Sequence, residues 1–336
     1  MVWIQFVVCL AVIGIAGTKL VKYGDLLAEK TGLGRVWVGV VVLAAITSIP
    51  ELATGISSVT LIGDPDLTMG DLLGSNMVNL VMIAVIDLFY TGGPVLSYVG
   101  AGIVLTAALS SVLIAVVALS IYLSQGLFNI KLFGMIGISS LVLLLLYLLA
   151  QYILFRFRPD GSEQTAPEES PAFGNHTPLR TVAISFIAAA VVTAAGGTWL
   201  ASIGAQIAEL TGLGSSFVGT LFLAICTSAP ELVVSISAAR LGALDMAVGN
   251  MVGSNLFNMG VVIFVNDLFY AGGPILQRVN PSHVVTALFA LLMSSVVVIG
   301  VTFRPRLRLR FPIGPASLFL IIIYLGAMVT LYSLNR

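Results

Sequence analysis

Thr47-Ser48-Ile49-Pro50-Glu51 and Thr227-Ser228-Ala229-Pro230-Glu231 each set a carboxylate directly behind a proline, inside a long apolar run. A charge at the centre of a bilayer costs roughly 2.5–3.5 kcal/mol on insertion scales. Proline also deletes a backbone hydrogen bond and presses on the carbonyl four residues earlier, here Ile46 or Cys226. Meeting both costs at two related places calls for compensation, and a buried cation is the simplest form of it. At about 100° per residue, Thr47 shares a helix face with Glu51, and Thr227 with Glu231. Local unwinding at the prolines would turn nearby carbonyls, such as those of Ala44 and Thr47, towards protein, water or an ion. The half-helix that begins at each proline presents its positive end to the glutamate and favours the ionised form. A plainer explanation is a capping box, since Ser48-x-x-Glu51 and Ser228-x-x-Glu231 both fit one. Two copies in facing spans weigh against capping alone.

A second pair of motifs is Gly74-Ser75-Asn76-Met77-Val78-Asn79 and Gly253-Ser254-Asn255-Leu256-Phe257-Asn258. Ser75 and Asn79 share a face at four-residue spacing, as do Ser254 and Asn258. Read plainly, glycine and serine let helices approach closely and asparagine bonds across the interface. Next to the glutamate-bearing spans, the same residues offer neutral oxygens. Hard cations such as Ca2+ take several oxygen ligands, mixing carboxylate with carbonyl, amide and hydroxyl groups. The set offers no thiolate or imidazole, which argues against zinc or copper. Asp87 and Asp267 lie near helix ends and read as interfacial, and Asp64 and Asp66 as exposed loop charges. Asp71 has Asn250 as its counterpart in the other copy and so breaks the symmetry; lying four residues before Ser75, it is expected to line an approach to the site.

These residues must be positioned by membrane helices. Of 336 residues, 58% are hydrophobic and 9% charged, which marks a polytopic membrane protein. Fifteen basic residues balance fifteen acidic ones, so charge gives no sign of nucleic acid. Cys9 and Cys226 both sit in apolar segments and do not suggest a disulfide. Apolar segments run roughly over 2–22, 36–62, 67–90, 99–123, 131–155, 179–208, 215–241, 243–269, 281–302 and 312–333. Each can cross about 30 Å of hydrocarbon at ~1.5 Å per residue. The first lacks a basic leader region and is kept as a span rather than a signal peptide. Residues 156–178, rich in Pro, Glu, Ser and Gly, read as a flexible linker between five-helix units at 1–155 and 179–336. The expected fold class is therefore an all-α polytopic membrane protein with ten transmembrane helices.

Twelve basic residues fall in odd-numbered connections: Lys19, Lys22, Lys30 and Arg35; Arg156, Arg158 and Arg180; Arg240; Arg304, Arg306, Arg308 and Arg310. Only Lys131 and Arg278 fall in even ones. The positive-inside rule places the odd connections, and the linker with them, in the cytoplasm and both termini outside. The two halves are also duplicates. Gly17-Thr18, Thr31-Gly32-Leu33-Gly34 and the TSxPEL block return 180 residues later, the GSN block 179 later, and Asp87–Tyr90 with Gly92-Gly93-Pro94 again at 180. Five spans per half leave the copies inverted in the membrane, an arrangement typical of alternating-access transporters.

The paired TSxPEL and GSNxxN blocks resemble the α-repeats of the calcium/cation antiporter superfamily, and the whole chain is similar to its compact prokaryotic sodium/calcium exchangers. The resemblance implies a central site on spans 2, 3, 7 and 8, with long tilted spans 1 and 6 sliding across it. It assigns the shared cation carboxylates to Glu51 and Glu231. It assigns further ligands to Thr47, Ser48, Ser75 and Asn79 in one repeat and to Thr227, Ser228, Ser254 and Asn258 in the other, with backbone carbonyls at Ala44 and Ala224. Asn258 stands where potassium-dependent relatives carry Asp, which argues against potassium coupling. The Gly-Asn-Ala-Ala-Glu type motif usual in proton-coupled relatives is absent, which favours sodium.

The expected activity is exchange of Ca2+ for Na+ across the plasma membrane through a midplane two-glutamate site. No cofactor, enzymatic activity or obligatory protein partner is expected beyond the transported ions and the lipid bilayer. Proton-coupled calcium antiport is the alternative. A membrane hydrolase with an acid/base carboxylate pair and a channel are weaker rivals.

Overall fold

The computed structural model describes residues 1–123, 131–132, 136–156, 177–211, 223–304 and 313–334. The helices are α1 (Val2–Thr31), α2 (Arg35–Ile62), α3 (Pro65–Phe89), α4 (Ala101–Leu123), α5 (Ile138–Arg156), α6 (Leu179–Leu210), α7 (Ala229–Arg240), α8 (Leu244–Phe269), α9 (His283–Phe303) and α10 (Pro315–Leu334). Among the described residues, all but α7 are long and apolar enough to cross a membrane. Helical residues 223–227 precede α7, and the rest of the expected seventh span lies outside the described residues. So do nearly all of the expected linker and the basic cluster from Arg306 to Arg310. The chain is an all-helical polytopic membrane protein, with one hairpin that sequence reading missed: β1 (Lys131–Leu132) pairs antiparallel with β2 (Ile136–Gly137) just before α5.

Connections on one face of a membrane must share parity, and polar contacts between the loops test the crossing count. Asp66, in the first turn of α3 beside the second connection, accepts from the backbone N–H of Asn280 in the eighth at 2.5 Å. Gly137, in the fourth, donates to Asp267 at the start of the eighth at 2.8 Å. Gly100, in the third, donates to Asp245 beside the seventh at 2.7 Å, and Gly314, in the ninth, to Asp87 at the start of the third at 2.8 Å. Even meets even and odd meets odd, as ten crossings require. Nine would put Gly100 and Asp245 on opposite faces.

α3 and α8 form the centre, with 78% of the most apolar window of each buried, against 33% for α1 and α6 and 22% for α10. Side chains exposed on the outer helices, among them Ile4, Val7, Ile187, Leu325 and Val329, are apolar, as lipid contact demands. The small cluster Cys9, Ile13, Leu200, Ile203 and Ile207 joins α1 to α6 and is separate from the main core.

α2 is not a uniform helix. It is π-helical over Val38–Leu43, interrupted at Ser48 and π-helical again over Ser58–Ile62. Pro50 explains the interruption, because its nitrogen carries no donor and its ring crowds the preceding turn. Ser48 takes φ −86° and ψ 7°. Ser228 takes nearly the same values before Pro230, φ −83° and ψ 4°. The first π segment lies flat on α8, where a Cβ on Gly253 would collide with the Val40 backbone. Only glycine permits that approach.

Candidate cation-binding site

The interruptions at Ser48 and Ser228 bring two half-helices together at the middle of the molecule. Glu51 and Glu231 sit in the first turns after the breaks and are fully buried. Sequence alone allowed Ser48 and Ser228 to cap their own helices, but neither makes a side-chain cap bond. Each instead reaches into the other half. Ser48 Oγ donates to Glu231 Oε1 at 3.2 Å, and Ser228 Oγ donates to Glu51 Oε1 at 3.1 Å. Ser254 adds a second donor to Glu231 Oε1 at 3.3 Å. The carboxylates are thus held by each other's helices.

The threonines line the same centre. Thr47 Oγ1 lies 3.2 Å from Asn250 Oδ1 and 3.5 Å from Ser254 Oγ. Thr227 Oγ1 lies 3.2 Å from Asp71 Oδ1 and 3.4 Å from Ser75 Oγ. Asn79 Nδ2 donates to Asn255 Oδ1 at 3.0 Å, and Asn255 Nδ2 donates to the Asn76 carbonyl at 3.0 Å. Asn258 opens a π-helical turn of α8, Asn258–Val262, an irregularity that often marks functional sites. All eight expected polar side chains besides the glutamates are fully buried here.

The backbone expectation needs correction. Ala44 O still accepts the Ser48 N–H at 3.0 Å, and Ala224 O the Ser228 N–H at 3.1 Å, so neither helix unwinds there. The threonine hydroxyls use the same carbonyls, Thr47 at 3.4 Å and Thr227 at 3.0 Å. The break is confined to Ser48 and Ser228, two residues before each proline, within the turn that lacks the proline N–H. Asp87 and Asp267 lie at helix ends, as expected, and are buried there against the connections, 1% and 0% exposed. Asp64 caps α3 by accepting from the N–H groups of Asp66 and Leu67, and Asp66 pairs with His283 at 3.1 Å, so neither is a mere loop charge.

Sequence reading missed Asn255, Asn250 and Ser235. Asn255 stood in view as the third residue of the repeated GSN triplet. Asn250 donates to the Glu231 carbonyl at 3.4 Å and to Ser235 Oγ at 3.2 Å, a role that only the packing of α7 on α8 defines.

A buried polar atom without a partner is costly. At this centre several oxygens have no protein partner: Oε2 of both glutamates, Oδ1 of Asn79 and Asn258, and Oδ2 of Asp71. Among the described residues, no three His, Cys, Asp or Glu side chains converge to hold a metal. The centre therefore sets the Glu51 and Glu231 carboxylates, with Asp71 beside Thr227, among neutral oxygens, a composition suited to hard cations and poor for nucleophilic chemistry.

A family model described as "Sodium/calcium exchanger protein" matches residues 1–155 and 181–332. The chain is 46% identical over 63 residues to the sodium/calcium exchanger MaX1 of Methanosarcina acetivorans, a match covering 19% of this chain and 18% of that protein. It is 26% identical over 267 residues to the inner membrane protein YrbG of Escherichia coli, covering 79% of each. A solved structure of the sodium-calcium exchanger NCX_Mj, soaked with 2.5 mM Na+ and 0.1 mM Sr2+, superposes with TM-score 0.73 at 18% identity, covering 98% of this chain and 99% of that one.

Proposed function

Because this chain belongs to the sodium/calcium exchanger protein family, a family of membrane transporters rather than enzymes, we propose that it exchanges Ca2+ for Na+ by alternating access through the Glu51–Glu231 centre. The observation that carries this reading is the reciprocal pair of serine–glutamate hydrogen bonds beside carboxylate and amide oxygens that no protein donor satisfies. Two carboxylates neutralise one Ca2+, and Na+ ions can satisfy the same charges at overlapping positions. Thr47, Ser48, Ser75 and Asn79, with Thr227, Ser228, Ser254 and Asn258, complete the oxygen shell. Ala44 and Ala224 contribute the second lone pairs of their carbonyls. An empty, charged centre crosses poorly and an occupied one switches, so flux is coupled.

Support for switching comes from α1 and α6, which pack on each other through a small apolar cluster of their own while also resting on the main core through Leu20, Val21 and Phe186. A pair held together in this way can slide across the centre as a unit. The chain acts in the plasma membrane, with both termini and the even connections outside, and with the 156–178 linker between repeats 1–155 and 179–336 in the cytoplasm. It needs no cofactor.

The test is radioactive calcium uptake into proteoliposomes loaded with sodium, with potassium and pH gradients imposed in separate arms. Sodium-driven uptake that Glu51→Ala abolishes supports the proposal. Uptake driven by a pH gradient with sodium absent assigns proton coupling instead, and undiminished uptake by Glu51→Ala removes the two-glutamate site.

A further inference from the structure

The outer surface between α9 and α10 carries an apolar groove of about 300 Å3, at the end of α9 that leads into the ninth connection. Gly300 and Ala316 form its floor: a Cβ added at Gly300 would lie 3.0 Å from Ala316 Cβ and 2.8 Å from Leu96 Cδ1. Phe303 and Phe319 form its walls and are 79% and 58% exposed. From Val296 to Phe303 the groove follows α9 for two turns, about 11 Å.

The first half of the molecule does not repeat it. Gly314 bonds to Asp87 as Gly137 does to Asp267, and Asn280 bonds to Asp66 as Gly100 does to Asp245, which fixes the register between the halves. On that register Gly300 corresponds to Ser120, Ala316 to Ser139, Phe303 to Leu123 and Phe319 to Val142. Smaller residues deepen the floor and larger rings raise the walls in the second half alone.

The mouth of the groove is cationic. Arg304 directly follows Phe303, is exposed, and closes α9 in the left-handed conformation (φ 47°, ψ 53°), its N–H on the Gly300 carbonyl at 3.1 Å. Glycine usually takes that position, because a side chain is strained there. The guanidinium is therefore kept at a conformational cost. Its charge reaches Asp245, which accepts from the Gly100 N–H and also feels Arg35, but among the described residues Arg304 forms no ion pair. No Asp or Glu follows Asp267 in the chain, so α9, α10 and their connection hold no acidic side chain. A second apolar helix would fill the groove and leave Arg304 unanswered. A molecule with a hydrocarbon tail and an anionic head answers both, and basic pockets between membrane helices bind such head groups.

We propose that the α9–α10 groove binds one anionic phospholipid, with a fatty-acyl chain between Phe303 and Phe319 and the phosphate on Arg304. The site lies apart from the Glu51–Glu231 centre and does not rest on the exchange reading.

The test is native mass spectrometry of the purified full chain, delipidated in detergent and titrated with phosphatidylglycerol or with phosphatidylcholine. Wild type should take up one phosphatidylglycerol at concentrations that leave phosphatidylcholine unbound. Arg304→Gly suits the backbone conformation and should weaken phosphatidylglycerol about fivefold, the effect of roughly one basic residue at a membrane surface. Phe303→Leu with Phe319→Val installs the residues of the first half and should weaken it at least as much with Arg304 in place. Equal binding of the two lipids by wild type overturns the proposal, as does phosphatidylglycerol binding that is unchanged in either variant. A dimer that forms in place of the lipid-bound monomer, and that Phe303→Leu with Phe319→Val dissociates, would assign the groove to a second copy of the chain instead.

Discussion

The hydroxyl of Ser228 donates to Oε1 of Glu51 at 3.1 Å, across 177 residues of sequence. Its mirror image, Ser48 to Glu231 at 3.2 Å, spans 183. Each glutamate thus takes a hydrogen bond from the half of the molecule that does not contain it. An ion held by either carboxylate bears on both halves at once, which is what a transporter built from two inverted units needs.

The reciprocal bonds predict matched losses. A hydrogen bond to a charged group contributes about 1.5–3 kcal/mol, equivalent to roughly 10- to 100-fold in affinity. Ser228→Ala and Ser48→Ala should each raise the calcium concentration for half-maximal sodium-driven uptake by about that factor. A large effect from one serine and none from the other would show that the halves do not share the ion.

Glu51→Gln and Glu231→Gln should each abolish exchange while leaving a folded protein. The check is thermal unfolding in detergent with and without calcium. A ligand at 100 times its dissociation constant stabilises the native state by about 2.7 kcal/mol. Wild type should therefore show a calcium-dependent rise in Tm that both variants lack. A calcium shift retained by either variant would put the ion elsewhere.

Gly197 of α6 sits between the two interrupted helices. A Cβ placed there would lie 2.5 Å from Pro50 Cγ and 2.7 Å from Pro230 Cγ. If α6 slides over this point, Gly197→Leu should block uptake and leave calcium-dependent stabilisation in place. Normal uptake by that variant would mean that α6 moves in some other way or not at all.

Asp87 accepts from the N–H groups of Val95 and Gly314 and from Ser317 Oγ, fastening the end of α3 to the start of α10. Asp267 accepts from the N–H groups of Ile275 and Gly137, fastening α8 to the start of α5. Each is a buried carboxylate bridging the halves. Asp87→Ala and Asp267→Ala should lower stability by several kcal/mol, since each strands two or more buried donors at about 1–3 kcal/mol apiece. The resulting fall in Tm is measurable without any transport assay. A change under 1 °C would mean that the donors find other partners.

The amino-acid sequence by itself determined what is decided within one helix or by repetition along the chain. Hydropathy over about 20 residues marks a span because the bilayer has a fixed thickness. Proline at 50 and 230 marks a break because the missing amide is a local fact, and matching offsets reveal the duplication. Glu51 and Glu231 were legible for the same reason, since a carboxylate in an apolar run is costly wherever the run ends up. Tertiary structure alone decided which partner each polar group takes. Whether Ser48 caps its own helix or reaches Glu231 depends on an acceptor delivered from 183 residues away. Asp87 and Asp267 read as residues near helix ends, but nothing near them in sequence reveals the N–H groups of Gly314 and Gly137 that they bind. The bare oxygen of Asp71 is visible only beside the satisfied amide of Asn250. Hydrogen bonds act over about 3 Å of space, and the packing of the two inverted halves sets which groups come within that distance.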